Sequence, residues 1–425
     1  MKTTKHFHLL LLFTAILLVH CSRQTEYIYP VVQLNLSDTE AHVRPGESIR
    51  LTAELLPENT TDRTIVWTSA NPDIATINEN GVLKGIRAGE TLITATAGKQ
   101  QASCIVTVGP DIYVAGMEGG YPVLWKNGVK LWKADEQATI GQIVYSDEDF
   151  YLPAFFYGTG SSRAGYFHNN EPIYLTTEAG GSSEAYSLAV NDSHIYVTGC
   201  SSNNATDDNH ATLWVDGTPH KLSELPSFAT GVCIDKDNNV YVCGWERNED
   251  FSTSAVLWKN GEKNYLQVPE GYTNPSATNL SVYDDKVYVI GTAGVEWISS
   301  AVIWINGQMT ALSKRSSMAN AIFVNETDVY VAGSEASDSF DAAAVVWKNG
   351  QPIYLTDLEH AAESPAEAKS IVVARDKTYV AGQQARKIGE MNFYHATLWT
   401  DNSIKEIPSS DPYTETKAYA VLAVE

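Results

Sequence analysis

The sequence predicts an all-β chain in two parts, a β-sandwich of roughly 80 residues followed by a ring of repeated four-stranded units. Three observations lead there. A seven-residue phrase returns as ATLWVDG at 211–217, AVLWKNG at 255–261, AVIWING at 301–307 and AVVWKNG at 344–350. Ahead of it, residues 31–108 alternate short apolar runs with turn clusters. Finally, the chain ends in AYAVLAVE, which reads as a strand without a repeat of its own.

Composition narrows the class. A hydrophobic content of 44% over 425 residues is ample for buried cores. The balance of 29 Lys+Arg against 51 Asp+Glu gives a net charge of -22, which repels a phosphate backbone, so no nucleic-acid partner is expected. Lys2 and Lys5 precede an apolar run from Leu9 to Val19. A basic start with so short a run predicts an export signal over residues 1–20, since a membrane-spanning helix needs about 20 apolar residues. The ending Leu18-Val19-His20-Cys21 resembles a bacterial lipoprotein box, with His20 departing from the usual small residue. That resemblance, to an exported lipoprotein of the Bacteroidetes type, implies lipidation of Cys21 and anchoring to the outer membrane. Residues 21–30 then form a tether, extended by about 3.5 Å per residue. Its polar stretch Ser22 to Glu26 has no acidic run, which leaves the cell surface and the periplasmic face both open.

Strand-like segments at Ile49–Leu55, Thr64–Trp67, Ile74–Ile77, Thr91–Thr96 and Ala102–Val108 predict the sandwich, over residues 31–109. The stretch PGESIRLTAELLPENTTDRTIVWTSANPDIATINENGVLKGIRAGETLITAT resembles the bacterial Ig-like domain, group 2, with GVLKGIRAGE as its most specific part. The resemblance implies Trp67 as the core aromatic and a spacer on an exported protein.

From residue 110 the chain repeats. Tyrosines of a YVxG-like strand fall at Tyr113, Tyr151, Tyr196, Tyr241, Tyr288, Tyr330 and Tyr379, spaced as four-stranded propeller blades are. A third strand ends at Trp125, Phe167, Trp214, Trp258, Trp304, Trp347 and Trp399. Asn-Gly or Asp-Gly follows in five copies, the chemistry of a type I′ hairpin. The tryptophans are expected to pack between blades. The YVxG glycines, Gly116, Gly199, Gly244, Gly291, Gly333 and Gly382, are expected where a strand ends or bulges. Copy one lacks a first strand, which the segment from Ala418 to Glu425 supplies, so residues 110–425 predict a seven-bladed β-propeller closed by the C-terminal strand. It resembles the broad group of propellers with NHL-like or WD-like strand order, without the WD dipeptide and with no functional motif to carry over.

Sites are less sharply written. Turns such as Asp235–Asn239 are acidic, but Asp and Asn are good turn formers and no complete calcium loop occurs. Cys104, Cys200, Cys233 and Cys243 lack CxxC spacing and read as buried thiols, with Cys233 and Cys243 flanking one hairpin. No metal or cofactor is expected. His210 and His395 share a repeat position but fall in copies three and seven, too far apart to hold one ion. No Asp-box, nucleophile elbow, HExxH or paired-carboxylate motif is present, so no catalytic residue is assigned. The long variable loops are expected to form a binding face carrying Tyr121, Phe155, Phe156, Tyr157, Arg163, Trp245, Arg247, Trp297, Phe340, Arg386, Phe393 and Tyr394, aromatics to stack and arginines to direct hydrogen bonds. Six residues that each follow an alanine, Tyr186, Thr230, Thr278, Asn320, Lys369 and Tyr419, are expected to ring a channel mouth.

These features predict a lipid-anchored envelope protein, non-catalytic, binding a glycan or protein partner or serving adhesion. The alternative is a propeller-fold carbohydrate-active enzyme, a glycosidase or lyase, whose dispersed carboxylates would carry no sequence motif.

Overall fold

Local turn chemistry sets the architecture. In five copies both turn residues take positive φ, as at Asn260 (50°) and Gly261 (85°), so strands three and four close in tight hairpins. The asparagine also braces the neighbouring strand, because its Oδ1 accepts the amide at the start of the second strand, 2.8 Å from Val240 N to Asn260. Asn127, Asn306, Asn349 and Asp216 repeat that contact, and so do Asn169 and Asp401, which the repeat phrase does not contain.

The computed structural model describes residues 28–158, 161–176, 181–191, 193–202, 208–389, 391–401, 403–409 and 411–425. The signal segment, Cys21 and most of the tether lie outside them. Contacts divide the chain between Val108 and Gly109.

In the N-terminal unit, Glu40–Val43 pairs parallel with Gln100–Val108, which continues antiparallel through Gly89–Ala97 to Val66–Ser69. A three-stranded sheet holds Ser48–Arg50, Val82–Gly85 and Ala75–Ile77, and Gln33–Leu36 pairs with Ala53–Leu56. Leu51, Leu83, Ile93 and Val106 are buried between them, and half-buried Trp67 reaches this core and the smaller one around Leu34 and Leu55. The run expected as one strand, Ile49–Leu55, is two strands in different sheets, because buried Leu51 turns inward at the break.

Among its described residues the C-terminal unit holds seven antiparallel sheets. Sheet three is typical: Ser183–Val190, Ile195–Ser202, Asn209–Val215 and Thr218–Lys221 pair in chain order. Sheet four begins at Ser227–Ile234, sheet five at Tyr272–Tyr283, sheet six at Ser317–Val324 and sheet seven at Ala366–Ala374. Sheet one takes its first strand from the C-terminus, Thr416–Val424 pairing along Asp111–Glu118. In sheet two the first strand is broken into Ala138–Ile140 and Val144–Ser146.

Each third-strand aromatic is buried against the preceding sheet. Trp258 meets Ala211 of sheet three, Trp304 meets Tyr241 of sheet four, and Trp125 of sheet one meets Ala381 of sheet seven. Phe167 fills the same place between sheets one and two. These interfaces run from sheet one to sheet seven and back to sheet one.

Candidate functional site

Six equivalent positions acquire their geometry from one device. The first strand bulges after its alanine, opposite the YVxG glycine, in sheets one and three to seven. A Cβ on Gly244 would overlap the Phe228 carbonyl oxygen, and the other five glycines face the same obstruction. The extra residues are Tyr419, Tyr186, Thr230, Thr278, Asn320 and Lys369, the six expected to ring a channel mouth. Three of them are spent on holding sheets together. Thr230 donates to Ala277 O at 2.9 Å, Thr278 to Ala319 O at 2.7 Å and Asn320 to Ala368 O at 2.8 Å, each carbonyl in the next sheet.

Two residues before each bulge, on the same strand face, and at the matching place in sheet two, the repeat stops repeating. The positions read Lys417, Thr139, Glu184, Phe228, Ser276, Met318 and Glu367, and their second-strand partners are Met117, Phe155, Cys200, Trp245, Thr292, Ser334 and Gln383. Packing rows keep one residue type through the chain, whereas this row changes at every sheet. Aromatic rings cross it. Tyr157 meets Phe155 edge-on at 5.8 Å, Phe155 meets Tyr186 at 6.2 Å, Tyr186 meets Phe228 at 6.5 Å, and Phe228 stacks on Trp245 at 4.6 Å. The arc spans sheets two, three and four.

Polar groups complete the row. The Tyr186 hydroxyl donates to Glu184 Oε2 at 2.5 Å, and Tyr157 shares a hydrogen bond of 2.6 Å with Thr139. On sheet seven Glu367 accepts from Lys369 at 2.5 Å, from Asn320 of sheet six at 3.2 Å and from Gln383 at 3.4 Å. Burial, then the charges of Tyr157 and Glu367, raise the Tyr419 phenol above its usual range. Burial, assisted by the neighbouring Cys200 and Glu184, raises the Tyr186 phenol far more, which keeps its hydroxyl a donor.

The expected loop residues distribute differently. Tyr157 and Trp245 enter the arc, and Phe155 with them. Phe156 is a correction: it is 1% exposed in the core between sheets one and two, because alternation along the strand turns it away from Phe155 and Tyr157. Arg163 lies over the Tyr174 ring at 3.6 Å, Arg247 pairs with Asp208 at 3.0 Å, and Arg386 stands 3.7 Å from Glu406. Tyr121 lies beneath Lys133 Nζ at 5.2 Å, Phe393 meets Tyr413 at 5.8 Å, and Tyr394 is half-buried opposite Ala385. Trp297 and Phe340 sit at hairpin tips, 99% and 80% exposed, outside the arc. Phe228, Glu184 and Glu367 were missed. Their signal was present, since the residue just before each Ala-x pair lies two positions from x and shares its face of the strand.

Other chemistry finds little support among the described residues. No three His, Cys, Asp or Glu side chains gather as they would around a metal ion. Cys104, Cys200, Cys233 and Cys243 are free thiols, and burial pushes the last three up to about 12. They are poor nucleophiles at neutral pH. Desolvation alone would raise Asp235, but hydrogen bonds from Asn239, the Asp237 amide and Tyr241 hold it below its usual value, as befits a carboxylate organising a turn. No helix among the described residues is long and apolar enough to cross a membrane.

Comparison with known proteins identifies the first unit. The profile of the bacterial Ig-like domain, group 2, matches residues 30–108, and this unit is such a domain. The chain is 38% identical over 78 residues to a 3-O-alpha-D-galactosyl-alpha-L-arabinofuranosidase of Bifidobacterium longum subsp. longum, covering 18% of this chain and 7% of that enzyme. It is 33% identical over 87 residues to an Ig-like virion protein of Serratia phage KSP90, covering 20% of this chain and 34% of that protein. The chain thus spans only a small part of either relative. Among solved structures, a puromycin hydrolase aligns with 77% of this chain and 53% of its own at 12% identity and a TM-score of 0.47. A DUF4784 family protein from Bacteroides caccae aligns with 93% of this chain and 100% of its own, at 9% identity and a TM-score of 0.31.

Proposed function

We propose that the seven sheets form a seven-bladed β-propeller closed by the last strand, and that the chain is a lipid-anchored envelope protein whose propeller binds a glycan without catalysis. The cyclic order of aromatic interfaces supports the ring. A bacterial Ig-like domain ahead of it suits a spacer on an exported protein. Anchoring rests on Cys21 and the apolar run before it. Replacing Cys21 by Ser is expected to move the protein from the membrane fraction to the soluble fraction of the envelope; retention in the membrane would remove the anchor from the account.

The binding role rests on one observation, the arc Tyr157–Phe155–Tyr186–Phe228–Trp245, with the Glu367–Lys369–Gln383 network at the equivalent row of sheet seven. Flat rings stack on the apolar faces of sugars with little entropy loss, and carboxylates and amides accept or donate to hydroxyls. A glycan array probed with the full chain is the test. Binding of defined glycans, reduced at least about tenfold by Trp245→Ala in a variant that melts like the parent, is expected. Binding unaffected by that change, or none to any glycan, would displace this reading towards a protein partner.

A further inference from the structure

Charge bookkeeping singles out one carboxylate in the arc. Partly and fully buried glutamates on the other strands each have their own cation, while Glu136, in the connector before sheet two, accepts from the Tyr174 hydroxyl at 2.5 Å. Glu118 has Lys130 at 2.7 Å and Lys133 at 3.1 Å, Glu246 has Lys263 at 2.9 Å, Glu335 has Arg315 at 3.7 Å, and Glu367 has Lys369 at 2.5 Å. Glu184 is the exception. It accepts from the Tyr186 hydroxyl at 2.5 Å and the Ser162 hydroxyl at 3.5 Å, and no Lys, Arg or His among the described residues pairs with it. Two neutral donors fix its direction and bring no compensating positive charge.

Its surroundings are aromatic. The Tyr186 ring, two residues along the same strand, is flanked by Phe155 at 6.2 Å and Phe228 at 6.5 Å, and Trp245 lies behind Phe228. Ring faces attract cations, and a partly desolvated carboxylate beside them adds a directed, charge-assisted hydrogen bond. The chain's net charge of -22 draws cations towards its surface and repels uronates and sialates. Resting on the reading of this arc as the binding site, we propose that it takes an organic ammonium group, carried by a hexosamine with a free amine, with Glu184 as its counter-ion. A quaternary amine such as choline shares the cation but lacks both the sugar face and the N–H donors.

Calorimetric titration of the full chain tests this, with a glucosamine tetramer, its N-acetylated counterpart and choline as separate ligands at low and high salt. The free-amine tetramer is expected to bind at least about tenfold more tightly than the N-acetylated one, with the preference shrinking at high salt and vanishing in Glu184→Gln. Melting curves establish that the variant is folded, and the comparison between the two tetramers needs no variant at all. Equal affinity for both tetramers would overturn the ammonium assignment and leave glycan binding intact. Binding of choline alone would keep the ammonium and overturn the sugar. Binding of none of the three would overturn this proposal, whatever the glycan array shows.

Discussion

At Gly244 the missing side chain matters more than most that are present. Its Cα lies so close under the Phe228 carbonyl that a methyl group has no room, and the bulge at Thr230 depends on that approach. Gly244→Ala is expected to destabilise the protein by about 2–3 kcal/mol in urea unfolding. The tryptophans allow a finer comparison. Trp258 donates its indole N–H to Leu222 O at 3.1 Å, while among the described residues Trp399 has no acceptor. Trp258→Phe should therefore cost about 1 kcal/mol more than Trp399→Phe, and equal losses would show that the hydrogen bond adds nothing. The buried thiols predict alkaline behaviour. Folding raises Cys200, Cys233 and Cys243 from 9.0 to about 12, so the native state holds protons that the unfolded chain releases. Their contribution is intact below about pH 9 and is lost as pH rises towards about 12, which denaturation midpoints across that window would reveal. Legibility also divides at this scale: Phe155, Phe156 and Tyr157 look alike in sequence, and only strand alternation separates the two that reach the arc from the one that fills a core.

At the scale of elements, what the sequence declares clearly is what neighbouring residues decide. Asn-Gly turns, strand spacing and the recurrent tryptophan were legible because a hairpin is a local structure. The bulges were legible in part: the YVxG glycines marked the place, but the extra residue lies on the partner strand, beneath whose carbonyl the glycine is lodged. The break inside residues 49–55 was not legible, because it depends on two sheets competing for one apolar run. The turn asparagine separates into two physical parts by substitution. Asn260→Gly keeps the positive φ and loses the bond to the Val240 amide; Asn260→Ala loses both. Alanine is expected to cost about 1–2 kcal/mol and glycine less, and the reverse order would refute the division.

At the scale of the molecule, the last strand is the element that the rest waits for. Thr416–Val424 covers the edge of Asp111–Glu118, and its Val421 amide donates to Ser370 of sheet seven at 3.1 Å. Ending the chain at residue 415 should expose that edge and yield aggregates or an unfolded C-terminal unit, readable by light scattering and circular dichroism. A soluble, cooperatively melting truncation would contradict the ring. The sheets' variable row gives the molecule its function in this account, and hydrogen exchange with a bound oligosaccharide from the array tests that most directly. Protection confined to the arc segments 153–157, 183–187, 227–231 and 243–247 is the predicted result. Protection at the exposed tips around Trp297 and Phe340 instead, with the arc unchanged, would place recognition elsewhere and contradict it.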